Sequence, residues 1–194
     1  MRSTHMCSVA SLSPLLCICR ARSRPTPIPA NRYATRMELI AIDPTGAPED
    51  PLPLDTFARG ACFACARNYA RTGYAPPWIG YLAVEDDEVV GSCTFRAPPE
   101  RGRVEIGYHT SPAHEGRGVA SRMAKLLVAL AREADPSLAL FARTQEPDNA
   151  STKVLQRAGF TPLGPKPDVE DGVAWEWELA PATRRLSHDD ARRT

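Results

Sequence analysis

The sequence predicts an α+β domain in which helices flank a mixed central sheet. Three observations carry this expectation. The 194 residues are 43% hydrophobic and 24% charged with a formal net charge of +1, the proportions of a soluble globular domain with a core of ordinary size. Several β-rich runs separated by short turns precede an abrupt change to helical period near residue 119. A strand, a helix and a strand then follow in order, and such a crossover sets its two strands parallel with a right-handed connection, so the sheet mixes both senses of pairing.

Residues 38–43 read as a short strand closed by the turn Asp43-Pro-Thr-Gly46, and proline breaks residues 48–53 into a loop. Asp55 is placed to cap a helix that runs to about Arg71, because a carboxylate there can accept from the first unpaired N–H groups. Trp78–Val84 and Glu88–Phe95 flank a tight turn as a hairpin, and Arg103–Thr110 extends the hairpin to a meander. Val119, Met123, Leu126, Leu127 and Leu130 fall on one stripe of an amphipathic helix from about Gly118 to Glu133, which Asp135-Pro136 stops. Leu138–Thr144 reads as an apolar strand and Ser151–Ala158 as a short helix ending at Gly159. Gly172–Leu179 closes the sheet with Trp175 and Trp177 on the same face, where packing is expected.

The domain is expected at residues 37–179, between two segments of different composition. Residues 1–36 hold six arginines, no Asp or Glu, and no sustained period. They read as a disordered leader or as an upstream extension of the reading frame, with Met37 as the working start. Residues 180–194, rich in Arg and Asp, read as a flexible tail. From residue 38 onward there are 18 basic and 23 acidic side chains. No excess positive field therefore favours nucleic acid or an anionic membrane, and the apolar run from Val9 to Cys19 is too short to cross a bilayer. Cys62 and Cys65 form a lone CxxC pair on one helix face, where thiols pack as small apolar groups. No metal is implied, since a structural zinc needs four ligands, and a reduced cytoplasmic setting follows.

The chemistry gathers at the strand-to-helix junction, Ser111-Pro-Ala-His-Glu-Gly-Arg-Gly-Val-Ala120. Gly116 and Gly118 let the backbone turn tightly and leave the helix's first N–H groups unobstructed at the positive end of its dipole. Such an end binds phosphate oxygens, and Arg117 between the glycines offers a charge-assisted donor suited to a pyrophosphate. The bland alternative for this GxG is a plain tight turn. Thirty residues on, Asn149-Ala-Ser151-Thr-Lys-Val-Leu-Gln-Arg-Ala-Gly159-Phe160 opens the next helix, where Asn149 can act as an ordinary helix cap.

With Val104-Glu-Ile-Gly-Tyr108 before them, these motifs resemble the GNAT superfamily of acetyl-CoA-dependent N-acetyltransferases, most closely its RimJ/RimL-type branch, over about residues 78–178. The resemblance implies the GNAT acyl-CoA N-acyltransferase fold and acetyl-CoA as co-substrate. It assigns the pyrophosphate turn to Glu115, Gly116, Arg117, Gly118, Val119 and Ala120, with Glu115 standing where the family has Gln or Arg. It gives contact with the pantetheine arm to Asn149 and Ser151. The family's thiolate-protonating Tyr is Leu155 here, which leaves Ser151 or water for that task. The resemblance makes Glu105 the first candidate base for the attacking amine, with His109 on the same strand face as its substitute and a backbone N–H near Thr110 as oxyanion donor. An outward surface carboxylate is the plain alternative for Glu105.

Phe63, Tyr69 and Tyr74 fall where the family builds its acceptor pocket, with Phe63 expected in the helix core and Tyr74 in a cleft-lining loop. The acceptor is expected to be a primary amine, a protein N-terminus or a small molecule, attacking directly in a ternary complex; a homodimer is allowed for. A pocket lined with acids would favour a polycationic amine. The competing class is a non-catalytic CoA-binding module, for which Leu155 and Glu115 speak.

Overall fold

The computed structural model of the chain describes residues 37–145, 147–168 and 172–182. The leader 1–36 and the tail from residue 183 lie outside the described residues. Among the described residues, seven strands and three α-helices follow in the order β1 (Glu38–Ala41), α1 (Thr56–Thr72), β2 (Gly80–Glu85), β3 (Glu88–Phe95), β4 (Arg103–Thr110), α2 (Val119–Ala134), β5 (Ala139–Thr144), α3 (Ala150–Arg157), β6 (Thr161–Asp168) and β7 (Gly172–Leu179). The strands lie in one sheet in the order β1-β2-β3-β4-β5-β7-β6. β4 and β5 are parallel and the remaining neighbours antiparallel, so the mixed sheet and its crossover stand as the sequence predicts.

Local chemistry sets the helix ends. The Asp55 carboxylate accepts from Ala58 N at 2.7 Å, which satisfies one of the donors that every helix start leaves unpaired. α2 buries Val119, Met123, Leu127 and Ala131 on the sheet, a stripe set by the 3.6-residue turn. Met123 packs so closely on β3 that a Cβ at Gly91 would stand 2.9 Å from its sulfur. Two salt-bridged contacts, from Arg122 Nε to Glu85 Oε1 at 2.8 Å and from Nη2 to Oε2 at 3.1 Å, tie the helix to the end of β2.

Tyr69 fastens the other face. Its buried hydroxyl donates to Ile42 O at 3.0 Å and accepts from Gly80 N at 2.8 Å, so one phenol joins α1 to the chain after β1 and to the start of β2. α1 lies so close there that a Cβ at Gly80 would meet Cys65 Sγ at 2.3 Å, and only glycine fits. The buried stripe of α1 runs through Ala58, Cys62 and Tyr69. Phe63 lies one step round the helix from that stripe and is 65% exposed, which corrects the expectation that it packs in the core. Tyr74 packs edge-on against Tyr69 at 5.2 Å between ring centroids.

β6 is a strand that the sequence reading did not contain. Pro162, Pro165 and Pro167 remove three backbone donors from it. It survives because it is an edge strand paired only to β7, where a row of donors facing solvent can be given up. Trp177 is buried and its indole N–H donates to Thr144 Oγ1 at 3.1 Å, in keeping with packing.

Tyr69→Phe is expected to lower stability by about 1–3 kcal/mol in chemical denaturation, since it strands a buried N–H and a carbonyl while keeping the ring. Burial pushes the Cys65 thiol up to about 11 and raises Cys62 and Cys93 as well. A raised thiol pKa leaves little thiolate at pH 8, so mass mapping after alkylation of the native protein is expected to find these three sites slow, and fast once denaturant is added.

Candidate active site

The site originates in a strand pair that stops pairing. β4 and β5 are in register only from Arg103↔Ala139 to Glu105↔Phe141. Beyond that point β4 continues to Thr110 beside β3, while β5 continues to Thr144 beside β7. The two parallel strands therefore diverge in the middle of the sheet, and Tyr108 and His109 stand on the edge of the opening. Both residues line two cavities. One, of about 560 Å³, lies against α2 and α3; the other, of about 510 Å³, lies between α1 and the sheet.

Alternation along β4 sends its side chains to opposite faces. His109 meets Phe57 of α1 with ring centroids 5.5 Å apart. Tyr108 instead reaches α3 and donates its hydroxyl to the Ser151 carbonyl at 3.1 Å. Burial pushes the Tyr108 phenol well above its ordinary value, so it stays protonated through the physiological range. Glu105 shares the His109 face, four residues back, where its carboxylate lies 3.6 Å from both Arg96 and Arg143. It lines neither cavity.

Thr110, Glu115, Gly116, Gly118, Val119, Ala120 and Ser151 all border the larger cavity. Gly116 and Gly118 adopt φ of +73° and +74°, the left-handed region in which a side chain is strained. No side chain caps α2 and no acid stands in its first turn, so its leading N–H groups are open to an anion. The buried His114 also borders this cavity, and its Nδ1 has no hydrogen-bond partner among the described residues. An uncapped helix start and an orphaned imidazole nitrogen around one cavity fit a polyphosphate group.

Two expected residues are placed elsewhere. Arg117 is exposed and does not line the cavity, and its carbonyl accepts from Arg122 Nη1 at 3.0 Å. Asn149 caps α3 in a reciprocal pair, with Thr152 N donating to Asn149 Oδ1 and Asn149 N donating to Thr152 Oγ1, each at 3.0 Å. Positive charge comes instead from Lys153 and Arg157, which line the cavity with Ala150 and Val154. The sequence reading missed them, although positions 150, 153, 154 and 157 form one helical stripe. Leu155, in the slot of the family's Tyr, is fully buried. Tyr74 lines neither cavity. No group of three or more His, Cys, Asp or Glu among the described residues could hold a metal, and no helix among them is long and apolar enough to cross a membrane.

The comparisons with known proteins agree with this geometry. A family model described as an acetyltransferase (GNAT) domain matches residues 32–161. No curated protein matches the chain. Among solved structures, the ribosomal-protein α-N-acetyltransferase RimL in complex with coenzyme A is 19% identical, with a TM-score of 0.56 over 76% of this chain and 95% of that one. A microcin self-immunity acetyltransferase in complex with acetyl-CoA and AMP is 12% identical, with a TM-score of 0.51 over 63% and 69%. The chain spans 65% of a GNAT-family acetyltransferase from Bacillus anthracis, at 17% identity and a TM-score of 0.47. At such identities the likeness to RimL and to the microcin enzyme is one of fold.

The uncapped start of α2 gives a direct test. Ser121 is the third residue of α2 and borders the cavity, so a carboxylate there can reach back to the open N–H groups as a capping box does. Ser121→Glu is expected to weaken acetyl-CoA binding at least about tenfold by calorimetry while leaving thermal stability equal or slightly higher, because an acid favours a helix N-terminus.

Proposed function

Because the chain belongs to the GNAT acetyltransferase family, we propose that it transfers the acetyl group of acetyl-CoA to a primary amine by direct attack across the opening between β4 and β5. The observation that carries this reading is that Tyr108 and His109 border both cavities. Co-substrate enters from the α2 side and acceptor from the α1 side, so the two meet at these residues without a covalent intermediate on the enzyme.

Acetyl-CoA supplies a thioester carbonyl, whose C–S bond breaks as the C–N bond forms, with the electron pair leaving on sulfur. The leading N–H groups of α2 hold the pyrophosphate, with Lys153 and Arg157 adding charge from α3. His109 takes the ammonium proton so that a neutral amine attacks, and a backbone N–H near Thr110 donates to the oxygen on which negative charge develops. Tyr108 returns a proton to the sulfur, and the second proton that the nitrogen sheds as the amide forms restores the phenol through solvent. Its phenol comes from β4 instead of α3, and thereby takes the place left by the buried Leu155; the Ser151 hydroxyl is a second donor at the same wall. Glu105, held between Arg96 and Arg143, balances their charge on the acceptor side.

The test is mass-spectrometric detection of N-acetylated product from acetyl-CoA and a panel of peptide and small-molecule amines. Retained acetyl-CoA binding with no product from any amine would favour the binding-module reading. His109→Gln is expected to lower kcat about 100-fold or more, and Tyr108→Phe to lower kcat with little change in the KM for acetyl-CoA. Glu105→Gln is expected to stay within a few-fold of the parent, and a loss as large as that of His109→Gln would return the base to Glu105.

A further inference from the structure

A third cavity, of about 370 Å³, adjoins the acceptor side, and its wall carries three arginines, Arg67, Arg71 and Arg96, and no carboxylate. It shares Ala64, Cys65, Thr94 and Arg96 with the cavity between α1 and the sheet. That cavity in turn shares Tyr108 and His109 with the co-substrate cavity. A continuous path therefore runs from the acyl-transfer opening to a basic recess.

The recess follows from the sequence of α1. Residues 56–72 contain three arginines and no acid. Arg67 and Arg71 lie one turn apart, on the stripe that also carries the small residues Gly60 and Ala64 and the polar Asn68. The small residues leave room above the sheet. Asn68 Nδ2 donates to Arg96 O at 2.7 Å and so fixes the end of β3 beside the helix, bringing the third guanidinium to the other two. Arg96 is already shared with Glu105 at 3.6 Å. Arg67 and Arg71 have no ion-pair partner among the described residues, and the guanidinium of Arg67 rests 5.8 Å from the ring centroid of Phe63. Like charges at this spacing repel, and three guanidinium groups around one concave surface form a site for a carboxylate or a phosphate.

We propose that the acceptor is an amine that also carries an anionic group, a carboxylate or phosphate held by Arg67 and Arg71 with Arg96, while the amine faces His109. The proposal rests on the acetyl-transfer reading for the end at which the amine reacts. It selects an acidic peptide N-terminus or an acidic small amine against polycationic acceptors, which the unpaired charges of Arg67 and Arg71 would repel.

Calorimetry on the full chain saturated with CoA separates this from the reaction itself. The peptide Ser-Glu-Glu is expected to bind at least about tenfold more tightly than Ser-Gln-Gln, each as its C-terminal amide, at low salt. The preference is expected to vanish in the Arg67→Gln/Arg71→Gln double variant, whose replaced side chains are exposed and leave the fold intact. A parallel pair, free glutamate and glutamine amide, tells the two sources apart: a gain confined to the peptides identifies a protein N-terminus, and an equal gain identifies a small amine. Equal affinity for acidic and neutral probes, no measurable affinity for either, or a preference that persists in the double variant overturns the proposal. A preference without acetyl transfer to any amine would leave the anion site standing and remove the proposed function, and transfer without preference would do the reverse.

Discussion

The divergence of β4 from β5 is the constraint on which the rest of the structure depends. Two parallel strands that paired along their full length would seal the middle of the sheet. Here the ladder ends at Glu105↔Phe141 because β5 is held by β7 from Leu140 to Thr144, while β4 stays with β3 through Thr110. Each strand stays paired on its outer side, and the N–H and C=O groups of its inner edge face the opening. The groups proposed to act lie along its rim: Tyr108 and His109 on opposite faces of one strand, the uncapped α2 just past the end of that strand, and α3 across the gap. The Tyr108 bond to the Ser151 carbonyl spans this gap and fixes its width on the co-substrate side.

Charge is divided across the sheet in a way that suits the two proposed ligands. On the α2 and α3 side, helix N–H groups, Lys153 and Arg157 face one cavity. On the α1 side a chain of paired charges runs over the sheet: Glu105 lies between Arg96 and Arg143, and Arg103 bridges Glu176 at 2.9 Å and Glu178 at 3.0 Å. Those carboxylates neutralise the strand arginines. Arg67 and Arg71 of α1 are not part of that chain, and neither has an ion-pair partner among the described residues.

Much of this was legible in the residues, for reasons that are local. Asp55 and the stripe through Val119, Met123 and Leu127 declare their helices because capping and amphipathic period depend only on neighbours in sequence. The strand-helix-strand order forces a parallel pair whatever the packing, and glycines at 116 and 118 mark a backbone turn that other residues resist. What was not legible depends on partners far along the chain. β6 gives no strand signal in the sequence because its prolines oppose one, and only its place at the sheet edge permits it. Phe63 is apolar yet exposed, since the helix rotation is set by Tyr69 and Cys62. Arg117 lies between the glycines but does not line the cavity, while the packing of α3 sets Lys153 and Arg157, themselves exposed, along its border. Alternation correctly separated Tyr108 from His109. That both residues border the same opening depends on where the β4–β5 ladder ends, which no local pattern encodes.

The proposed reaction requires acetyl-CoA to lie along the start of α2 with its thioester at the β4–β5 opening. Hydrogen exchange of the full chain with and without saturating acetyl-CoA tests it most directly, because backbone donors that bind a ligand become protected. Protection concentrated at residues 116–121, with smaller effects at 108–110 and 150–154, is the expected result. Protection confined to other segments, or none at saturation, would contradict the claim and with it the assignment of the two cavities.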